Sequence, residues 1–148
     1  MRSGVSSHPY PIEKAEKYIQ EKIAEQKIGR SATFVIEPKT RSNLIGIIEL
    51  HDLELEHGVA ELSYWLALEA WGKGYMSEAH PPVLDFGFKT LSLNRIQAYH
   101  MVRNLASGKV LLKNGFQLEG FLRQRVKKWN QYKDVKLYSL LRQKWQDN

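Results

Sequence analysis

One stretch limits the folds open to this chain more than any other: a strand that runs into a glycine-bearing loop and then into a helix. Residues 59–66, Val-Ala-Glu-Leu-Ser-Tyr-Trp-Leu, are aliphatic and aromatic and follow Gly58, which predicts a strand. Trp71-Gly72-Lys73-Gly74-Tyr75 comes next. Residues 77–90 then put Ala79, Val83, Phe86 and Gly87 on one helical face. Residues 95–102, Arg-Ile-Gln-Ala-Tyr-His-Met-Val, predict a second strand. Strand, helix and strand in this order make a βαβ unit with a right-handed crossover. The fold class is therefore α/β, mixed in the α+β sense, with helices packed on one sheet.

The flanking elements fit that frame. Ile12, Ala15, Ile19 and Ile23 predict a helix over residues 11–27, with Pro11 in its first turn and Gly29 as its stop. Residues 31–37 and 44–50 read as strands joined by a turn over 38–43. A polar loop is expected over 51–58. A short helix over 104–113 should stop at Gly115. Two long strands, 116–127 and 132–144, should turn near Asn130. The 148 residues are the length of one domain, at roughly 100–200 residues each, so residues 1–148 are expected to form a single domain.

Chemistry enters through the loop. Gly72 and Gly74 let backbone approach a ligand closely. The helix that follows offers unpaired N–H groups and a positive dipole end, together a site for phosphate. The pattern is neither G-x-G-x-x-G nor a P-loop, and alone it is a weak signal. A net charge of +6 suits an anionic ligand. The absence of cysteine excludes disulfides, thiolate metal sites and a cysteine nucleophile. The five histidines show no metal-ligand spacing, so no metal is expected. No apolar run approaches the roughly 18 residues of a membrane span, and the start lacks a secretory signal. A cytoplasmic protein is expected. The basic run Arg123-Gln124-Arg125-Val126-Lys127-Lys128, with Trp129 and Tyr132 nearby, suggests nucleic acid, but a solvated charged face explains it better.

Several blocks together carry a family resemblance. They are Glu61-Leu62-Ser63-Tyr64-Trp65-Leu66, Trp71 to Tyr75, Ser77-Glu78-Ala79, Leu93-Asn94-Arg95-Ile96, Asn104-Leu105-Ala106-Ser107, Lys113-Asn114-Gly115-Phe116, Leu118-Glu119-Gly120 and Asp134-Val135-Lys136-Leu137-Tyr138. In this order they resemble the GNAT N-acetyltransferases, and within them the RimJ/RimL-like ribosomal-protein branch. The resemblance runs over residues 12–145. It implies the GNAT fold: a twisted mixed sheet whose central strands, 59–66 and 95–102, splay apart around acetyl-CoA, the co-substrate.

The same resemblance implies site residues. The pantetheine arm would pair with the strand ending Trp65-Leu66. The pyrophosphate would rest on backbone N–H groups of Gly72, Lys73, Gly74, Tyr75, Met76 and Ser77, with Trp71 in the first slot of the motif. Asn104 would touch the pantetheine. Ser107 would sit by the sulfur as general acid, with Tyr138 competing by residue type. Lys109 is a candidate for a CoA phosphate. Glu61 is the leading general base, its pKa raised by burial, with Glu49 and His51 as alternatives.

Each of these residues also has a plain structural explanation. Asn104 and Ser107 cap helices well, Tyr138 could pack in a core, and Lys109 and Glu61 could simply be solvated. Three features depart from the family pattern: Met76 in the motif's last slot, His80-Pro81-Pro82 close to the first turn of the cofactor helix, and the short stretch before Pro11. That short start predicts an uncovered sheet edge and hence a homodimer. The activity implied is acetyl transfer to a primary amine, either a protein N-terminal α-amine or a small amine. The alternative is a non-catalytic CoA-binding or interaction module.

Overall fold

Alternation along Val59–Leu66 decides how the sheet is buried. Ala60, Leu62, Tyr64 and Leu66 enter one large apolar core, while Trp65 joins Ile47 and Ala67 in a small cluster on the opposite face. A strand has a side-chain period of two, so the parity of each residue assigns it to a face. The computed structural model describes residues 31–38 and 43–146. The helix expected over 11–27 lies outside the described residues, as does most of the turn expected over 38–43.

The described strands are β1 (Ala32–Ile36), β2 (Gly46–Glu54), β3 (Val59–Leu66), β4 (Arg95–Met101), β5 (Gln117–Lys128) and β6 (Gln131–Leu141). They form one sheet in the order β1-β2-β3-β4-β6-β5. Only β3 and β4 pair in parallel; the other neighbours are antiparallel. Helix α1 (Tyr75–Asp85) makes the β3–β4 crossover, and α2 (Leu105–Lys113) follows β4. Met76, Val83 and Leu84 of α1 and Leu111 of α2 meet the even-numbered residues of β3 and β4 in the large core. Both helices therefore cover the same face.

Two family blocks prove to be one structural clamp. Arg95 donates two hydrogen bonds, of 2.6 and 2.8 Å, to the carboxylate of Glu119. The Ser139 hydroxyl also donates to that carboxylate. These bonds hold the Glu119 pKa down at about 2 and tie β4 to the outer hairpin.

Four expectations need correction. Residues 51–54 are not loop: β2 continues through them, bent at a bulge where Asp52 takes φ 51°. Burial alternates there, with His51 and Leu53 half-buried and Asp52 and Glu54 exposed, as in a half-exposed strand. The crossover helix begins at Tyr75 and ends at Asp85, and residues Phe86–Thr90 widen into a π turn. The final strand stops at Leu141 and α3 (Arg142–Gln146) follows, so Trp145 can donate to Asp85 at 2.6 Å. Pro81 and Pro82 lie well past the first turn, at the seventh and eighth residues of α1. They remove the donors that the carbonyls of Ser77 and Glu78 would otherwise accept from. The Asn114 amide reaches the Ser77 carbonyl at 3.5 Å instead.

Candidate active site

β3 and β4 pair only at Val59↔Arg95, Ala60↔Ile96 and Glu61↔Gln97. Beyond that point the strands part, although each keeps its outer neighbour to the end: β2 pairs with β3 up to Leu66, and β6 pairs with β4 up to Met101. The two edges facing the gap carry main-chain groups with no ladder partner among the described residues. A ligand amide can supply one, as an added strand would. A cavity of about 630 Å³ fills the opening.

Its upper wall is the loop after β3. The Trp71 indole donates to the Leu66 carbonyl at 2.8 Å and fixes the loop to the strand end. Gly72 (φ 73°) and Gly74 (φ 80°) are both left-handed. A Cβ on either would meet nothing within 4 Å, so both backbones face open space. The first intrahelical bond of α1 runs from Glu78 N–H to the Gly74 carbonyl at 3.0 Å. The N–H groups of Tyr75, Met76 and Ser77 are therefore free of helical acceptors and sit at the positive end of the helix dipole. All three residues line the cavity, and Lys109 faces them from α2. Such an arrangement of free N–H groups and a cation suits an anion and can act as a cradle for one.

The middle of the cavity holds the hydroxyl expected to serve the sulfur. Ser107 is fully buried yet lines the cavity. Asn104 caps α2 by accepting the Ser107 N–H at 3.3 Å. Capping thus occurs, and it fixes the serine in place. The Ser107 hydroxyl lies 2.6 Å from the Tyr64 hydroxyl. Burial pushes the Tyr64 pKa up, so the phenol keeps its proton and can donate it, leaving the serine O–H for a third group. Tyr64 was not singled out in the sequence. The parity of β3, which puts it with Leu62 and Leu66 on the helix face, was the signal that could have found it.

The expected residues are not all brought together. Tyr138 lies off the cavity lining, its hydroxyl 3.2 Å from His100 Nε2 and its ring stacked on that imidazole. Both groups stand 3.0 Å from where a Cβ on Gly108 would be, so the pair supports the first turn of α2. Trp65 points its indole to the opposite face. Lys73 is exposed and also off the lining.

Glu61 belongs to the last residue pair before the splay and is hydrogen-bonded to Gln97. Burial raises its pKa, while His51 pulls the other way. His51 Nε2 is 2.6 Å from the Ser63 hydroxyl and 3.6 Å from the Glu61 carboxylate, and its Nδ1 is 3.0 Å from Asp52. The donor atoms of His51, Asp52 and Glu61 lie within 4.8 Å of one another, as metal ligands would. The imidazole hydrogen-bonds Asp52 and Ser63, and its approach to Glu61 is an ionic contact rather than a hydrogen bond. Glu49 is buried on the same strand face.

The cavity is lined from both sides of the sheet. Tyr64, Met76 and Val110 line it from the helix face. Met101, Arg103 and Trp129 line it from the other side, where Met101 packs with Tyr99 and Val135. Met101 and Glu61 share odd parity and hence that second face. Donor and acceptor can therefore meet in the gap from opposite faces.

A family model described as an acetyltransferase (GNAT) domain matches residues 1–117. The chain is 37% identical over 131 residues to the uncharacterized N-acetyltransferase YoaA of Bacillus subtilis, covering 88% of this chain and 74% of the relative. It is 32% identical over 127 residues to the ribosomal-protein-serine acetyltransferase of Escherichia coli, covering 86% and 70%. Among solved structures it superposes on the spermidine N-acetyltransferase of Vibrio cholerae, in complex with CoA and spermine. The TM-score is 0.78 at 28% identity, over 95% of this chain and 81% of that one. The chain belongs to the GNAT family, in its RimJ-like branch. It is an N-acetyltransferase with acetyl-CoA as co-substrate.

Proposed function

We propose that the chain acetylates a primary amine, either a protein N-terminal α-amine or a small amine, by direct transfer within a ternary complex. The observation that carries this reading is Glu61 in the last paired position before the splay. A carboxylate of raised pKa there is well placed to take a proton from an ammonium group. The E. coli relative is named for a ribosomal protein and the V. cholerae structure for spermidine; both acceptors are amines.

In this mechanism the anion cradle holds the pyrophosphate and the β3 edge aligns the pantetheine. Trp65 and Lys73 act through backbone only. Glu61 takes the ammonium proton, directly or through water. The freed amine attacks the thioester carbonyl, and main-chain N–H groups of the splayed strand stabilise the oxyanion. The N–C bond forms and the C–S bond breaks. The proton that the nitrogen sheds on becoming an amide passes to the departing thiolate by way of the Tyr64 and Ser107 hydroxyls, each of which gains one proton as it gives one up. The Tyr138 hydroxyl, held by His100, stays out of the proton path.

A homodimer and a cytoplasmic location complete the reading, with residues 1–148 as one domain. The edge strand β5 exposes Leu118 and Phe121, which a second copy would cover. Sedimentation should show a dimer at micromolar concentration; a monomer there rejects that part. The activity is tested by incubating the protein and acetyl-CoA with a panel of peptides and amines and reading mass gain. Acetylated amine with stoichiometric free thiol is expected. Tight acetyl-CoA binding with no acetylated product across the panel would overturn it.

A further inference from the structure

His80 is fully buried in α1, yet it takes no part in the chemistry described so far. Its Nδ1 donates to the Met76 carbonyl at 2.8 Å, one helical turn back. In a neutral imidazole that bond fixes the tautomer and leaves Nε2 as a bare acceptor. No group among the described residues donates to Nε2. A buried polar atom without a partner costs stability. An aliphatic side chain of similar bulk would fill the same space without that cost, so the imidazole calls for an account beyond stability. The ring itself meets Tyr64: the centroids are 4.8 Å apart and the planes cross at 79°, a T-shaped contact. Aromatic pairs favour that arrangement beyond the area they bury. The hydroxyl of the same Tyr64 ring lies 2.6 Å from the Ser107 hydroxyl and 3.3 Å from the Ser107 carbonyl. Ser107 is held from its own side by the Asn104 cap, and the first turn of α2 rests on His100 and Tyr138 at Gly108. The phenol therefore meets a fixed partner only while its own ring is fixed.

We propose that His80 is a positioning residue: its imidazole, locked onto the Met76 carbonyl, braces the Tyr64 ring so that the phenol stays within reach of Ser107. The inference deepens the amine-acetylating reading, because it rests on the proton path given to those two hydroxyls. Met76 and His80-Pro81-Pro82, two of the departures from the family pattern, are thus in contact with each other. Helix α1 offers N–H groups at Tyr75, Met76 and Ser77, and one turn further on it steadies the hydroxyls that serve the sulfur. One rigid element then sets both the phosphate end and the sulfur end of the cavity. Pro81 and Pro82 follow directly and fix their own φ at roughly −65°, which limits how far the helix can yield at that turn.

The test is a double-mutant cycle read in kcat. His80→Leu removes the ring and its orphaned nitrogen together, so the variant should melt close to the parent. It should nonetheless lower kcat by about tenfold, since a misplaced group can cost up to about 10²-fold. KM for acetyl-CoA should stay within about twofold, as expected for a group that acts after binding. In a Tyr64→Phe background, which has no hydroxyl to place, the same change should leave kcat where it was. His80→Asn can keep a donor to the Met76 carbonyl but carries no ring. It should behave as His80→Leu does, and it takes that variant's place in the cycle should His80→Leu fail to fold. A second readout needs no turnover. The Ser107 backbone amide signal, followed by NMR, should move in His80→Leu as it does in Tyr64→Phe and no further in the double variant. An unchanged kcat in His80→Leu, or an equal loss in both backgrounds, overturns the proposal. A Ser107 signal that His80→Leu leaves in place overturns it too. If no amine is acetylated, the proposed reaction fails, while the amide signal still decides the brace.

Discussion

Replacing Gly74 separates two roles that one residue performs. Its φ of 80° and ψ of 3° make it the left-handed N-cap of α1. An L side chain with a Cβ costs about 1–2 kcal/mol in that region. For a chain of this size each kcal/mol lowers the melting temperature by about 2–4 °C, so Gly74→Ala should melt about 2–8 °C lower. The structure offers no steric reason for more, since an added Cβ meets nothing within 4 Å. That open space is where the pyrophosphate is expected. A methyl group there should hold the phosphate off the N–H groups of Tyr75 to Ser77 and weaken CoA at least about tenfold, or roughly 1.4 kcal/mol. Gly74→Asn is the informative partner, because asparagine tolerates the left-handed region. It should melt near the parent yet bind CoA as poorly as the alanine variant. Thermal unfolding and calorimetric titration of CoA read the two effects independently. If Gly74→Asn binds CoA with the parental Kd, backbone at residue 74 is not approached by phosphate and the reasoning fails.

Ser107→Ala should lower kcat by about 10²-fold while changing acetyl-CoA affinity little. Tyr64→Phe should give part of that loss, and an unchanged kcat in both would reduce the hydroxyl pair to a packing contact. Glu61 must lose its proton to act and burial raises its pKa, so activity should rise with pH through a limb above the ordinary carboxylate range. Glu61→Gln should depress the rate and abolish that limb in a pH–rate profile. Pro81→Ala with Pro82→Ala restores two helical donors; the melting temperature should rise, and CoA affinity should stay within a few-fold by titration. His80 is fully buried with its pKa lowered to about 4, and its Nδ1 lies 2.8 Å from the Met76 carbonyl. It is neutral when folded and charges more readily when unfolded, so stability should fall as pH drops from about 6.5 toward 4. Melting curves for His80→Gln should be flatter over that interval.

Regular elements with strong periodicity were legible from the residues. β3, β4 and α2 fall close to their expected bounds, because aliphatic runs and the Asn104 cap leave little choice. So did the cradle, since two glycines before a helix already describe left-handed backbone and free N–H groups. The family resemblance supplied the splay between β3 and β4, which no local propensity encodes. Residues 51–54 read as loop because His51, Asp52 and Glu54 are polar; the bulge that keeps them in β2 depends on pairing with β3. The π turn after α1 is a packing result: Gly87 sits where a Cβ would come within 2.9 Å of Ile96. Tyr64 is legible only in the fold, because an aromatic residue in a strand looks like packing until its polar partner, Ser107, arrives from a distant segment.

The lining of the cavity by residues of both sheet faces has a kinetic consequence under the proposed mechanism. A single-mouthed pocket makes its ligands queue, the first in being the last out. In the proposed mechanism the donor's product, free CoA, retreats past the helix-face residues while the acetylated acceptor leaves past the others, and neither should block the other's exit. Initial-rate lines for the two substrates should therefore intersect rather than run parallel. Each product should compete with the substrate that shares its side, and the slower departure alone should set the ceiling on turnover.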